Sequence, residues 1–528
     1  MLSIELTDDR WIKTPHGHIL GSAFVDDRLL DAPAIDAFLY DSLENQLTDR
    51  LLKLNGRWSV CLTLASGMLL VATDRTRTWP IFYTTGPAGI FLSDKAENVR
   101  TAAGDTKPDP VACEEFLHTC CVTGRDTLFP HVKQMLGGEM LLVTENNSQP
   151  TLNIVRWYTF RPQEPAAPRD LEEYLEQLDA LMLKAHQRLI DYANGRPIYI
   201  PLSGGVDSRS VATTLVRLKY DNLHAYCYGD PAASDPIVSR EVAKKLNIPW
   251  QHIPYSKKMW REEFQKPYFQ EYLRRYFQYT SVPNIQELPA ARILKESRSI
   301  QDDAVVVPGE CDLYMGSNAL PYYTTINNKK DLYKILIQKG YSFSATPLSK
   351  STKWDKRIND ILGNPSNKLS SAEVNSYFEQ WLTQEITNKF YIYTMSAHVF
   401  FHTELYYPLC DNTLLNFWEA VPHRLRFNRT LQLAYVQKQY ALACGADPSI
   451  SLVTDRNRAV PQTPKILLKK WRFLIPPIFK YTKRHLLLYK NKWAYHYAFP
   501  FSFRHQCVKE GNLAVHYMYA KYLLENFI

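Results

Sequence analysis

The sequence predicts an α/β protein with a β-rich first part, then a parallel sheet covered by helices, then a helix-rich, aromatic remainder. Three observations lead there. Residues 1–160 hold short apolar runs joined by turn residues. From 197 to 254, strand-like and helix-like patterns alternate at the pitch of βαβ units. From 257 onward, apolar and aromatic residues recur at helical spacing.

Each element has its own signal. "GRWSVCLTLASGMLLVATDR" reads as two strands around a turn at Ala65-Ser66-Gly67. "PIFYTTGPAGIFLSD" and "EMLLVTENNSQPTLNIVRWYTF" read as two further hairpins. "RPQEPAAPRD" (161–170) holds three prolines and reads as a linker. A helical pattern fills 171–193. Strand 197–202, helix 206–218, strand 223–228, helix 235–246 and strand 250–254 follow. No internal repeat or low-complexity tract is visible. The division expected is 1–160, 170–460 and a basic, aromatic extension at 461–528.

Bulk properties narrow the function class. With 528 residues, two to four domains are expected. A formal net charge of +8 is too mild over this length to point to nucleic acid. The nine cysteines show no CxxC spacing, so a disulfide framework is not expected and a reducing compartment fits. The opening "MLSIELTDDRW" lacks signal-peptide character, and no apolar stretch nears the ~20 residues of a membrane span. A cytoplasmic location is the expectation.

The most informative stretch is "IYIPLSGGVDSRSVATTLVRL" (198–218). A strand hands over to a helix through Ser203-Gly204-Gly205-Val206-Asp207-Ser208. Glycines let backbone N–H groups approach an anion, and the helix N-terminus adds partial positive charge. Ser203 and Ser208 offer hydroxyl donors. A Walker loop carries a lysine after its last glycine; here an acid, Asp207, sits in the loop. An acid beside phosphates makes sense with Mg²⁺ between them. The competing reading is a glycine-rich turn in which Asp207 only complements the helix dipole.

"LSGGVDS" resembles the pyrophosphate loop of the N-type ATP pyrophosphatases and, more narrowly, that of asparagine synthetase and its relatives. "YGDPAASDPIVSREVAKKLNIPW" (228–250), "VVVPGECDLYMGS" (305–317) and "YYPLCDNTLLNFWEAVPHRLRFNRTL" (406–431) resemble later segments of that synthetase domain. "ATDRTRTWPIFY" and "TGRDTLFPHVKQMLGGEMLLV" resemble parts of the family's glutaminase-like domain. The resemblance implies an N-terminal Ntn-hydrolase-like αββα domain followed by a HUP-like ATP-pyrophosphatase domain. It implies adenylation: a carboxylate attacks the α-phosphorus of ATP, pyrophosphate leaves, then a nitrogen nucleophile attacks the acyl carbon and AMP leaves.

Site residues follow from the same resemblance. Leu202, Ser203, Gly204, Gly205, Val206, Asp207 and Ser208 would line ATP, with Tyr228, Gly229, Pro308, Gly309 and Asp312. Asp207 and Asp312 would hold Mg²⁺. Glu310 would help deprotonate the incoming nitrogen, a task that needs hydrogen-bond reach. The sequence departs from the family here: "GECDLYMG" is one residue shorter than the usual acidic loop, and Leu313 replaces a second acid. Asp411 reads as a helix N-cap. Arg424, Arg426 and Arg429 would face phosphate or carboxylate, or form a solvated turn. Lys465 and Lys469 are candidates for a phosphate-facing lysine.

Glutamine-dependent relatives use a cysteine at position 2, whose thiolate attacks glutamine. Here that position is Leu2, and the first cysteine is Cys61. A degenerate glutaminase-like scaffold is therefore expected, with nitrogen from free ammonia, a partner protein or an amine in the substrate. His16-Gly17-His18 reads as a turn rather than a metal pair. Cys227 and Cys311 lie in no recognisable motif for a thiolating or tRNA-modifying relative. The wording of the chain is closest to asparagine-synthetase-like proteins of bacterial surface-polysaccharide gene clusters, which implies amidation of a sugar carboxylate. Asparagine synthesis, a lasso-peptide-cyclase or β-lactam-synthetase type of ring closure, and an inactive nucleotide-binding protein are the alternatives. The stretch 465–503 interleaves basic and aromatic residues, compatible with docking on an anionic membrane surface or with a basic-faced helix pair broken at Pro476-Pro477.

Overall fold

The structure, a computed structural model, describes residues 1–87, 89–146, 149–167, 169–309, 314–317, 319–320, 327–344, 348, 352–393, 396–446, 495–509 and 515–528. Glu310, Cys311, Asp312, Leu313, Lys465, Lys469 and Pro476-Pro477 lie outside the described residues.

The first 156 residues form β1 (Leu2–Glu5), β2 (Ile12–Thr14), β3 (Gly17–Val25), β4 (Arg28–Leu30), α1 (Ala32–Tyr40), α2 (Leu47–Lys53), β5 (Asn55–Thr63), β6 (Leu69–Thr73), β7 (Phe82–Gly86), β8 (Gly89–Ser93), α3 (Ala96–Ala103), α4 (Pro110–Thr119), β9 (Lys133–Gln134), β10 (Glu139–Asn146) and β11 (Gln149–Arg156). They build a sheet in the order β11-β10-β6-β5-β3-β2, with β4 on β3, and a second in the order β1-β8-β7-β9. The sheets face each other across Cys61, Val71, Ile81, Tyr83, Leu92 and Leu141. On the far side of the larger sheet, Val60, Leu62 and Leu70 pack with Ile35, Leu39 and Leu51 of α1 and α2. α3 lies on β7 and β8. The result is four layers, helix–sheet–sheet–helix. Both faces of β5 and β6 are covered, so their sequences read as continuous apolar runs rather than alternating ones.

The three hairpins fall at β5–β6, β7–β8 and β10–β11, all antiparallel. Sequence periodicity overlooked the four helices here: they are 7 to 10 residues long, too short for a sustained pattern. His16 and His18 form no metal pair: the His16 Nδ1 lies 2.7 Å from the buried Asp36 carboxylate, and His18 pairs with Cys61 across strands.

The second unit opens with α5 (Leu171–Ala193). Asp170 caps it by accepting from Glu173 N, and Asn194 ends it in the left-handed region. The chain continues through β12 (Ile198–Pro201), α6 (Val206–Arg217), β13 (Leu223–Gly229), α7 (Ser234–Lys245), β14 (Trp250–Pro254), α8 (Lys257–Phe264), α9 (Pro267–Phe277), α10 (Leu288–Glu296) and β15 (Val305–Val306). Three helices, α11 (Lys329–Gly340), α12 (Thr352–Leu362) and α13 (Ser371–Leu382), share a satellite core around Leu336, Ile358 and Trp381. α13 runs on into a π-helical stretch, Thr383–Ile392. Then come α14 (Ala397–Phe400), β16 (Glu404–Leu405), α15 (Asn412–Ala420), α16 (His423–Arg426) and α17 (Thr430–Ala443). The sheet is parallel, in the order β14-β13-β12-β15-β16. α18 (Phe501–Lys509) and α19 (Val515–Phe527) close the chain, with Cys507, Met518 and Leu523 in the main core. No helix among the described residues is long and apolar enough to cross a membrane. Among the described residues seven cysteines are free and Cys410 is disulfide-bonded, a bridge not expected from the cysteine spacing.

The two units are joined by a buried polar cluster. Asp411 caps α15 through Thr413 N at 2.9 Å, as its sequence position suggested. It also accepts two hydrogen bonds of 2.8 Å from Arg188 of α5 and one of 3.0 Å from Asn55 Nδ2 at the start of β5. Asn55 Oδ1 in turn accepts from Asn412 N at 2.9 Å.

Beside this cluster His186 is fully buried. Its Nδ1–H donates to Met182 O at 2.8 Å, and its Nε2 has no partner. Burial pushes its pKa down to about 4, so the folded protein keeps it neutral. The unfolded chain takes up the proton near the ordinary value of 6.5, so this contribution to stability is complete above that pH and is lost as pH falls toward 4. We expect a stability decline of up to about 3 kcal/mol across that window. His186→Leu should flatten it in urea unfolding measured at stepped pH.

Candidate functional site

The strand order places a switch point between β12 and β15: from β12 the chain winds outward to β13 and β14, and from β15 outward to β16. In open α/β sheets, ligands bind in the crevice beyond the strand ends at such a point. The loop after β12 is Leu202–Gly205, and the loop after β15 begins Val307-Pro308-Gly309.

The first loop is folded on itself by its serines. Gly205 N donates to Ser203 Oγ, Ser203 N donates to Ser208 Oγ, and the two hydroxyls are 3.1 Å apart, all three contacts at 3.1 Å. Gly205 is the N-cap of α6 and makes no side-chain cap, so the first turn of that helix opens toward the crevice. Leu202 is core: it is buried, and its N–H bonds Tyr226 O at 2.8 Å. Val206 is buried beside it.

One glycine, Gly309, is sterically required, and a second, Gly204, sits close to a side-chain tip. A Cβ on Gly309 would lie 2.4 Å from Ser208 N and 2.7 Å from Ser208 Cα; the two loops touch backbone to backbone. A Cβ on Gly204 would lie 2.8 Å from Asp235 Oδ1 and 3.3 Å from Asp235 Cα, at the start of α7. Gly309→Ala is expected to cost about 1–3 kcal/mol by forced displacement of the loop and to weaken nucleotide binding. Chemical denaturation and nucleotide titration check both. Arg209 holds the loop from below, with Nη2 3.5 Å from Gly204 O and its guanidinium 5.2 Å from the Tyr440 ring centroid.

Asp207 stands in the first turn of α6. Gln432 Nε2 of α17 donates to its Oδ1, and Arg429 Nη1 lies 3.7 Å from its Oδ2. Asn428 and Arg429 both adopt left-handed backbone, at φ 54° and 59°, just before α17. That tight entry turns Arg429 toward the loop.

The three arginines read as one cluster separate here. Arg426 is buried against Glu379, and Arg424 donates to Arg169 O at 2.9 Å. Arg429 alone of the three contacts Asp207. Gln432 was not foreseen; its only sequence signal is its position one helical turn after Arg429, a spacing that shares a face.

Tyr228 and Gly229 end β13, next in the sheet to β12. The Tyr228 ring stacks on Tyr255 at 5.4 Å, and Gly229 sits at φ 126° with its carbonyl accepting from Tyr255 N at 2.9 Å. Pro308 is buried. Cys227 is a buried thiol whose Sγ lies 3.8 Å from Tyr228 O. Below the sheet, Tyr226, Glu287 and His398 form a buried hydrogen-bonded trio, with His398 Nε2 2.7 Å from Tyr226 OH.

The donor set suits a phosphate chain: a helix N-terminus, two serine hydroxyls, a glycine approach and one arginine. Among the described residues, no three His, Cys, Asp or Glu side chains gather to hold a metal. Asp207 is the one carboxylate described in the loop itself, so a cation here would share Asp207 with phosphate oxygens.

No protein-family model matches the chain, and no curated protein does. Among solved structures it is similar to an NH3-dependent NAD synthetase from Campylobacter jejuni subsp. jejuni, at 13% identity and a TM-score of 0.20. That match covers 29% of this chain and 63% of that one. It is also similar to a predicted subunit of tRNA methyltransferase from Methanocaldococcus jannaschii, at 16% identity and a TM-score of 0.15, covering 31% and 75%. Scores this low assign neither a family nor an activity to the chain.

Proposed function

We propose that this chain is an ATP-dependent ligase that activates a carboxylate as its adenylate, with loss of pyrophosphate, and passes the acyl group to ammonia or an amine. The supporting observation is the arrangement at the switch point: a lysine-free serine–glycine loop at the mouth of α6, pinned by Gly309, with Asp207 and Arg429 beside it.

Such a loop suits a leaving pyrophosphate. Backbone N–H groups at the helix mouth and the Ser203 and Ser208 hydroxyls would bind its oxygens. Arg429 would lend a cation, releasing Asp207 as it does so. Mg²⁺ arriving with the nucleotide would neutralise the leaving group, held on this side by Asp207. The carboxylate oxygen of the substrate then bonds to the α-phosphorus as the bond to pyrophosphate breaks. The amine next attacks the acyl carbon, and AMP departs. Glu310 as the group that receives the amine proton, and Asp312 as a second cation ligand, rest on sequence resemblance.

The finer reading is membership of the asparagine synthetase family, with residues 1–160 a degenerate Ntn-hydrolase-like domain and a sugar or uronic acid as the acceptor. It rests on the wording of "VVVPGE" and "PLCDN" and on Leu2. A cytoplasmic protein in contact with the inner membrane face through 465–503 belongs to the same proposal.

Product analysis tests it. Purified protein is incubated with Mg-ATP, ammonium and, in turn, aspartate, a nucleotide-linked uronic acid and a leader-bearing peptide. AMP and pyrophosphate with one carboxylate would establish adenylation and name the substrate class. ADP and phosphate would overturn the mechanism. Nucleotide binding without turnover on any of the three would favour a non-catalytic nucleotide-binding role.

A further inference from the structure

We propose that Gln432 is a positioning residue of the site: it sets the Asp207 carboxylate for a cation shared with phosphate, and it acts on nucleotide only through that carboxylate. Such a role rests on the reading of the Ser203–Ser208 loop as a nucleotide site, and adds to it a residue from another element.

Gln432 lies on α17, which packs along α6, and its side chain is buried. Its Nε2 donates to Asp207 Oδ1 and lies 3.0 Å from Met315 Sδ. Asp207 follows the loop after β12, and Met315 follows the loop after β15. One amide group therefore ties both loops of the switch point to α17. Met315 is a fixed point for it. Just before, the buried Tyr314 donates from its hydroxyl to Asn388 Oδ1 at 2.6 Å; just after, Gly316 turns the chain at φ 83°.

The amide can face only one way. Turned over, its Oε1 would meet a carboxylate oxygen and a thioether sulfur, neither of which donates. In the orientation it takes, Oε1 is buried without a hydrogen-bond partner among the described residues. A buried carbonyl left unpaired costs stability. A methionine here would pack against Met315 without that cost, and the partly exposed Asp207 would turn to water instead. The glutamine is explained by what its N–H does for Asp207. With Oδ1 held, the carboxylate keeps one orientation, with Oδ2 toward Arg429, whose Nη1 lies 3.7 Å away. When Arg429 turns to phosphate, Oδ2 already stands where the accompanying cation needs it, and less side-chain freedom is lost on binding.

Thermal unfolding of the full chain over a series of Mg-ATP concentrations tests this, since the midpoint rises with any ligand of the folded state and reports weak binders as well as tight ones. Four proteins form a double-mutant cycle: unaltered, Gln432→Met, Asp207→Ala and both together. Gln432→Met is expected to weaken Mg-ATP by about 10-fold or more, as when a group orienting a metal ligand is removed. Its midpoint without nucleotide should stay at or above that of the unaltered protein. In the Asp207→Ala background the same change should cost no further affinity. Unchanged affinity of Gln432→Met, an equal loss in both backgrounds, or a lowered midpoint without nucleotide would overturn the proposal. Should Gln432→Met fail to fold, Gln432→Leu takes its place in the cycle. Failure of the unaltered protein to bind Mg-ATP would sink the ligase reading and this role with it, whereas a variant that binds as the unaltered protein does sinks this role alone.

Discussion

Asp207→Ala is expected to lower AMP and pyrophosphate formation by about 10²–10³-fold, the range seen when one preorganised group is removed from a site of developing charge. The fold should tolerate the change. Asp207 is partly exposed, at 19% of its side chain, so its favourable position on the α6 dipole contributes at most about 1 kcal/mol. Loss of the Gln432 and Arg429 contacts subtracts little more, because Arg429 is itself 34% exposed and screened by solvent. Activity and stability should therefore separate: product formation falls steeply while the unfolding midpoint barely moves. Asp207→Asn, which keeps the shape and the α17 contact but not the charge, should behave like the alanine variant in turnover. If Asp207→Asn retains full activity, the carboxylate holds no cation and the site needs a different reading.

Arg188→Ala should be the most damaging single change to stability, at about 3–5 kcal/mol. Arg188 and Asp411 have side chains only 4% and 3% exposed, and two hydrogen bonds of 2.8 Å join them. Removing the guanidinium leaves a buried carboxylate with only Asn55 and Thr413 as partners. Asp411→Asn is the milder test, since an amide oxygen can still cap α15 and Arg188 keeps the Asp27 carboxylate, 2.6 Å from its Nη1, as counter-charge. Denaturant unfolding of the two single variants and the double variant gives the coupling between them. A loss below about 1 kcal/mol for Arg188→Ala would mean that water enters the seam and solvates Asp411.

Much of the β/α alternation was legible because it is local. Helix 171–193 ends where the sequence placed it, since Asp170 and Asn194 are chemically suited to their caps. β12, β13 and β14 differ from their sequence bounds by at most a residue at either end. The loop at Ser203–Ser208 was visible for the same reason: two glycines and an acid between a strand and a helix form a short-range signal. What escaped is long-range. Gln432 meets Asp207 across 225 residues, and Asp411 meets Asn55 across 356. No periodicity encodes such meetings, because the order of strands in the sheet creates them. Arg424, Arg426 and Arg429 show the same limit: three like residues within six positions point in three directions, because a short helix and a left-handed turn lie between them.

The Asn55–Asp411 bond also has a meaning in time. The chain leaves the ribosome amino end first, and at about 5–20 residues per second, 356 residues take roughly 20–70 s to follow. Throughout that interval the newborn N-terminal layers present Asn55, Arg57 and Arg75 with nothing to dock against. The seam can close only after residue 416, the partner of Arg75, has emerged. Closure of the seam thus waits on translation through residues 160–416, whatever the strength of the finished contacts.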